Sequence, residues 1–223
     1  MFRLVHRTVL GIAALLSASS GIAGVLSEAP LFLQSAVPPN VLFSLSVEFP
    51  TANTAAYQGT NDYSAANSYL GIFDPGKCYT YDTGNNWFNP AALTSDHTCA
   101  NQWSGNFLNW ATMTGLDEFR FAMTGGNRYL DTSSQTVLER AYQSGQGGTS
   151  NFPNKTYSGS TATPFPATAT LTIANQGKGH QMQVSLGGSG TALCASPLVT
   201  SGVFSCSISL QTTNEAGSCT SWT

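Results

Sequence analysis

Charge is scarce in this sequence: Asp, Glu, Lys and Arg together make up 9% of its 223 residues, against roughly 25% in an average soluble domain. No Lys/Arg cluster exists, and the formal net charge is −3, so a polyanion-binding face is excluded and nucleic acid is not an expected partner. Past residue 23 no apolar run approaches the ~20 residues that a bilayer span needs. Histidine is equally sparse. His6, His97 and His180 are the three in the chain, and none has a second His or Cys at metal-ligand spacing. His97 and His180 are expected as surface imidazoles. No Gly-rich loop is followed by Lys-Ser/Thr. Gly187-Gly188-Ser189-Gly190-Thr191 lacks the closing glycine of a nucleophile elbow. No cysteine is read as an activated thiolate. The carboxylates Asp74, Asp82, Asp96, Asp117, Glu118 and Glu139 fall in turns or on helices, with no sign of an acid/base pair. The expectation is a protein that is not an enzyme, with no cofactor and no metal.

Hydrophobic residues are plentiful, at 41%. Polarity comes from Ser, Thr, Asn, Gln and Gly, a make-up common in exported β-rich proteins. The N-terminus supports export. Arg3, His6 and Arg7 form a basic start, Val9–Leu16 an apolar stretch, and Gly21-Ile22-Ala23 a small-residue cleavage site, so residues 1–23 read as a signal peptide. In an oxidising compartment the five cysteines, Cys78, Cys99, Cys194, Cys206 and Cys219, should pair. Their odd number, with the ending at Ser221-Trp222-Thr223, leads to the expectation of a truncated chain whose fifth half-cystine has its partner elsewhere.

Periodicity divides the chain in two. Val41–Val47, entered through Pro38-Pro39 and ended by Pro50, reads as a buried central strand. Thr51–Thr98 is irregular, and Asp74-Pro75-Gly76 marks a turn. A Cys78–Cys99 bridge would close the loop after that turn, a constraint worth ~3 kcal/mol. Phe107, Trp110, Met113, Leu116 and Phe119 recur at helical spacing, so one helix is expected from Ser104, its cap, to Gly125-Gly126. A second helix is expected across Thr136–Tyr142. Gln143–Thr163 is Gly, Ser, Asn and Thr, a loop composition. Beyond it, residues 168–173, 181–186 and 203–210 alternate with period two, as half-buried strands do.

Tyr57, Tyr63, Tyr69, Tyr79, Tyr81, Trp87 and Phe88 crowd the irregular region. Rings among Asn and Gly either stack on a ligand or anchor a protein partner, or else fill a minor core beneath a long loop. Tyr69, Tyr79, Tyr81, Trp87 and Phe88 are the candidate binding surface. An exported carbohydrate-binding module, or an accessory domain of a secreted hydrolase, is the alternative that such a platform would serve.

Several strings, in order, resemble the PilC/PilY-type type IV pilus tip-associated adhesins. They are Pro39-Asn40-Val41-Leu42-Phe43, Tyr69 to Tyr79, Trp103-Ser104-Gly105-Asn106-Phe107-Leu108-Asn109-Trp110-Ala111-Thr112-Met113-Thr114, Met123 to Arg128, and Thr136 to Ala141. The resemblance implies an α/β fold confined to the family's N-terminal part. It consists of an incomplete von Willebrand A-like region over residues 37–145, a linker or loop over 146–164, and a β-rich segment over 165–223, without the C-terminal β-propeller. It also implies a non-catalytic adhesin or assembly factor, exported to the periplasm, outer surface or pilus tip. The partners it implies are pilin, minor pilus-tip proteins or a host surface ligand. Relatives carry an Asp-x-Ser-x-Ser metal motif where this chain has Ser46-Val47-Glu48-Phe49-Pro50, so no metal is expected there.

Overall fold

The computed structural model describes residues 42, 44, 51–58, 62–144, 146, 148–175, 179–187 and 204–213. The expected signal peptide, the Ser46–Pro50 segment, Cys194 and Cys219 lie outside them. So does the Val41–Val47 strand apart from Leu42 and Ser44. Neither of those two is in a strand, and Leu42 is 93% exposed rather than buried.

The irregular region contains a hairpin. β1 (Lys77–Asp82) and β2 (Trp87–Leu93) pair antiparallel. Asp82 shapes their turn, its carboxylate accepting from the backbone N–H of Gly84 at 2.8 Å and of Asn85 at 3.2 Å, an Asx-type turn. Pro90 sits inside β2 where the register shifts opposite Cys78 and Tyr79. A bulge is where a strand tolerates a residue with no N–H to donate. β3 (Trp103–Ser104) adds to the other edge of β1.

The apolar stripe from Phe107 to Phe119 forms two helices, not one. Ser104 caps α1 (Gly105–Thr112), its hydroxyl accepting from the Phe107 N–H at 3.3 Å. Met113 is extended, and Thr114 opens α2 (Gly115–Thr124) with a reciprocal capping box. The Thr114 hydroxyl takes the Asp117 N–H, and the Asp117 carboxylate takes the Thr114 N–H at 3.0 Å. A residue committed as an N-cap cannot also continue a helix. Gly125 ends α2 in the left-handed conformation, φ 77°.

The expected helix over Thr136–Tyr142 is instead β5 (Thr136–Glu139), paired with β4 (Asn127–Asp131) on one side. Two strand partners outweigh a weak local preference, and Thr136 and Val137 are β-branched. β6 (Lys155–Tyr157), β7 (Thr170–Ala174), β8 (Gln181–Gly187) and β9 (Phe204–Ser209) form a second sheet in that order, antiparallel throughout. The expected alternation holds in β7 and β8, which bury Leu171, Ile173, Met182, Val184 and Leu186.

β10 (Gln211–Thr213) then crosses from one sheet to the other. After the buried Leu210 it enters the first sheet between β2 and β5, giving the order β3-β1-β2-β10-β5-β4. It runs parallel to β2 and antiparallel to β5. The described residues are therefore mixed α/β and mostly strand. Their pairing is antiparallel except at β2/β10, unlike the parallel, doubly wound sheet that a von Willebrand A-like region implies.

Residues 146–164, expected as a linker or loop, contribute Phe152, Lys155, Ala162 and Thr163 to the interior. One core cluster takes Phe73, Tyr79 and Phe88 from the first half, Phe107 and Trp110 from α1, Phe152 and Phe165 from the connection, and Leu171, Val184 and Leu210 from the second half.

Candidate functional site

The Trp103–Thr114 string does its work through two buried asparagines. Asn106 accepts from the Tyr69 N–H at 2.8 Å and donates to the Asn67 carbonyl at 2.8 Å and the Tyr63 hydroxyl at 3.2 Å. Asn109, one turn on, accepts from the Phe73 N–H at 3.1 Å and donates to the carbonyls of Tyr69 and Phe73 at 2.9 and 2.7 Å. A loop buried against a helix must have its backbone polar groups satisfied, and these carboxamides supply the partners. Gly71 and Gly105 allow the approach. A Cβ on Gly71 would lie 2.4 Å from the Asn109 carboxamide oxygen, and one on Gly105 would lie 2.1 Å from the Asp74 carbonyl oxygen.

The far end of α1 is held by cations. The last carbonyls of a helix have no partner within it. Here Arg140 Nε donates to the Thr112 carbonyl at 2.8 Å, and Lys155 Nζ donates to the Trp110 carbonyl. Both side chains are buried, and positive charge at a helix C-terminus opposes its dipole. Arg140 lies 3.8 Å from the Asp117 carboxylate and over the Phe152 ring at 5.5 Å. Burial pulls Arg140 down to about 10 while Asp117 pulls it back up. Lys155 faces the Trp110 ring at 4.7 Å. Its burial lowers it to about 8, with Glu118 opposing. Burial, followed by a hydrogen bond to Glu118, raises the Tyr57 hydroxyl well above the usual tyrosine range. The structure puts Arg140 fully inside.

Of the five rings expected as a binding surface, Tyr69, Tyr79 and Phe88 are buried, at 5, 0 and 0% exposure. Tyr79 and Phe88 each meet Phe73 edge-on, and Tyr69 meets Tyr57 the same way. Tyr81 and Trp87 are partly exposed. The Tyr81 hydroxyl accepts from the Ser209 N–H at 3.1 Å, and its ring lies 4.9 Å from that of Phe88. The structure therefore does not gather the five into one face.

Cys78 on β1 is bonded to Cys99, with Cα atoms 5.6 Å apart, as expected. Cys206 on β9 is disulfide-bonded as well. His97, with φ 63°, binds the Ala65 carbonyl at 2.7 Å through Nδ1. His180 binds the Arg140 carbonyl through Nδ1 and lies 3.6 Å from Glu139 through Nε2. Both histidines thus tie loops together, a role that neither one's flanking residues signal.

The surface offers two other features. Phe119 and Met123, four apart on α2, are 41 and 43% exposed, and Tyr129 on β4 is 60% exposed. A depression of about 340 Å³ is lined by Asp62, Tyr63, Thr156, Tyr157 and Ser158. Among the described residues, no group of three or more His, Cys, Asp or Glu could hold a metal ion, and no helix is long and apolar enough to cross a membrane.

The family model described as the PilY1 homolog small alpha/beta domain matches residues 60–194. A type IV pilus biogenesis factor PilY1 homolog from Xylella fastidiosa (strain Temecula1 / ATCC 700964) is 37% identical over 148 residues, 61% of this chain. A second protein of the same name and strain is 33% identical over 76 residues, 34% of this chain. The matches cover 12 and 5% of those relatives' lengths. No solved structure matches the chain. The family-model match takes in both helices and both buried asparagines, and on that match this chain belongs to the PilY1-homolog family.

Proposed function

We propose that the chain serves type IV pili by binding rather than by catalysis, as a surface adhesin or assembly factor that contacts pilin, a minor pilus-tip protein or a host ligand. The observation that carries this reading is the family match over residues 60–194, together with the pilus biogenesis factor name of the 37% identical relative. The architecture suits a module under tension. A disulfide joins β1 to the segment before β3, and α1 is tied to the Tyr69–Phe73 loop at one end and to Arg140 and Lys155 at the other. The disulfides favour an oxidising compartment, hence export to the periplasm, outer surface or pilus tip. A von Willebrand A-like region remains part of the proposal through the family resemblance alone. Tyr81 and Trp87, the two accessible rings of the expected surface, are the proposed contact residues there.

Deletion of the gene in its own piliated host tests the role. Loss of surface pili or of attachment, restored by the intact gene, is the expected result. Unchanged piliation and attachment would sink the proposal. Complementation with Trp87→Ala should restore piliation and lower attachment; full attachment would remove Trp87 from the contact.

A further inference from the structure

Helix α2 turns an apolar side to solvent. A surface helix ordinarily turns its charged side outward, yet the exposed residues of α2 are Phe119, Ala122, Met123 and Thr124, none of them charged. Phe119 and Met123 are 41 and 43% exposed. With Ala122 they stand three and four residues apart, on one face. The other side of the helix is already committed. Leu116 clusters with Ala52 and Ala141, and the Asp117 carboxylate takes the Ala141 N–H. The chain itself arrives at the foot of α2. The Thr51 carbonyl oxygen lies 3.9 Å from where a Cβ on Gly115 would stand, and the Gly115 N–H donates to the Thr54 carbonyl at 3.1 Å. Residues 51–54 are therefore anchored at the first turn of the helix, and the residues just ahead of them read Leu45-Ser46-Val47-Glu48-Phe49-Pro50.

We infer that residues 45–50 lie along α2 and cover Phe119, Ala122 and Met123. Leu45, Val47 and Phe49 alternate with Ser46 and Glu48, so an extended segment carries its three apolar side chains on one side. Pro50 keeps Phe49 out of helical backbone. Six extended residues reach ~20 Å, whereas Met123 stands only ~12 Å along the helix axis from Gly115. A second copy of the chain is the weaker occupant. It must lose the freedom of a separate molecule, whereas a segment tethered at Thr51 is present at an effective concentration in the millimolar range. The inference rests on this placement and not on the pilus reading, so either can fail without the other.

The test is peroxide oxidation of Met123, followed by peptide mass spectrometry, in the full chain and in the full chain carrying Leu45→Ser, Val47→Ser and Phe49→Ser together. Met113 and Met182 are fully buried and should oxidise slowly in both chains, which reports an intact core. The expected result is several-fold faster oxidation of Met123 in the triple variant. In the native chain, nuclear Overhauser effects should join the Met123 methyl to methyls of Leu45 or Val47, and these decide alone if the variant loses its core. Equal oxidation rates at Met123 with the core intact would overturn the inference. So would the absence of those Overhauser effects, or protection of Met123 that grows with protein concentration, the mark of a second copy.

Discussion

At the scale of single residues, tolerance is set by what each atom touches. A methyl on Gly105 would meet the Asp74 carbonyl at 2.1 Å and the Tyr79 ring at 2.7 Å. Backbone and a packed ring cannot both yield, so Gly105→Ala should destabilise by about 1–3 kcal/mol or more, read as a lower urea midpoint at unchanged slope. Lys155 gives a sharper test because its charge is conditional. Burial lowers it from 10.5 to about 8, so between those values the unfolded chain holds a proton that the folded chain has released. Stability should therefore rise with pH above about 8, by up to about 1.4 kcal/mol per pH unit. The window closes near pH 10, where Tyr57, Tyr63 and Tyr81, all raised by burial, begin to act in the opposite sense. Urea midpoints for the native chain should climb from pH 8 to 9.5, while Lys155→Met, which keeps the stem and loses the titrating group, stays flat. Parallel curves would mean that another group titrates. Little of this was legible beforehand. The apolar stripe marked Trp110 and Phe107 as core, but the partners of Asn106 and Asn109 lie 36 to 43 positions upstream, beyond the reach of local pattern.

At the scale of elements, the sequence contains signals that apolar periodicity overrides. Thr114-Leu116-Asp117, with Gly115 between, is a capping pattern in the middle of an uninterrupted stripe, and it divides the helix. Thr114→Ala removes one capping hydroxyl and should cost ~1 kcal/mol. Asp117→Ala does more. Its carboxylate holds the Thr114 N–H and the Ala141 N–H at 2.5 Å and stands beside Arg140. Its loss leaves a buried guanidinium without its counter-charge, a cost of about 3–5 kcal/mol. Urea unfolding of the two variants should show that ordering, and equal losses would mean that Asp117 acts as a cap alone. The β5 segment was misread for a related reason. Leu138, Glu139 and Ala141 favour helix locally, and it is pairing with β4, across a short turn, and with β10, much further along the chain, that makes it a strand. β7 and β8 were legible because half-buried strands carry their environment in their own alternation. β1 and β2 were not, since their rings and asparagines resemble surface loop until α1 is placed against them.

At the scale of the whole described structure, the chain passes from sheet to sheet at Leu210, and this bears on whether its two halves are domains. The sequence changes character after residue 146, and a boundary between two units there is a natural reading. The structure runs across that line. β10 is the middle of the first sheet, joining β3-β1-β2 to β5-β4, and it comes from the second half of the chain. The Trp103 ring meets the Phe165 ring at 5.6 Å, and Lys155 caps a helix of the first half. Without the second half, β2 and β5 each lose β10 as a partner, Leu138 loses its cross-strand neighbour Thr212, and the core loses Leu171, Val184 and Leu210. A hydrophobic cluster built from both halves is not divisible at a composition change, because neither half buries its apolar face alone. A chain ending at Pro164 should therefore show no cooperative unfolding by circular dichroism and poor amide dispersion, while the full chain shows a single transition. A cooperative transition in the shortened chain would restore the two-domain reading and make β10 an addition to a sheet already stable without it.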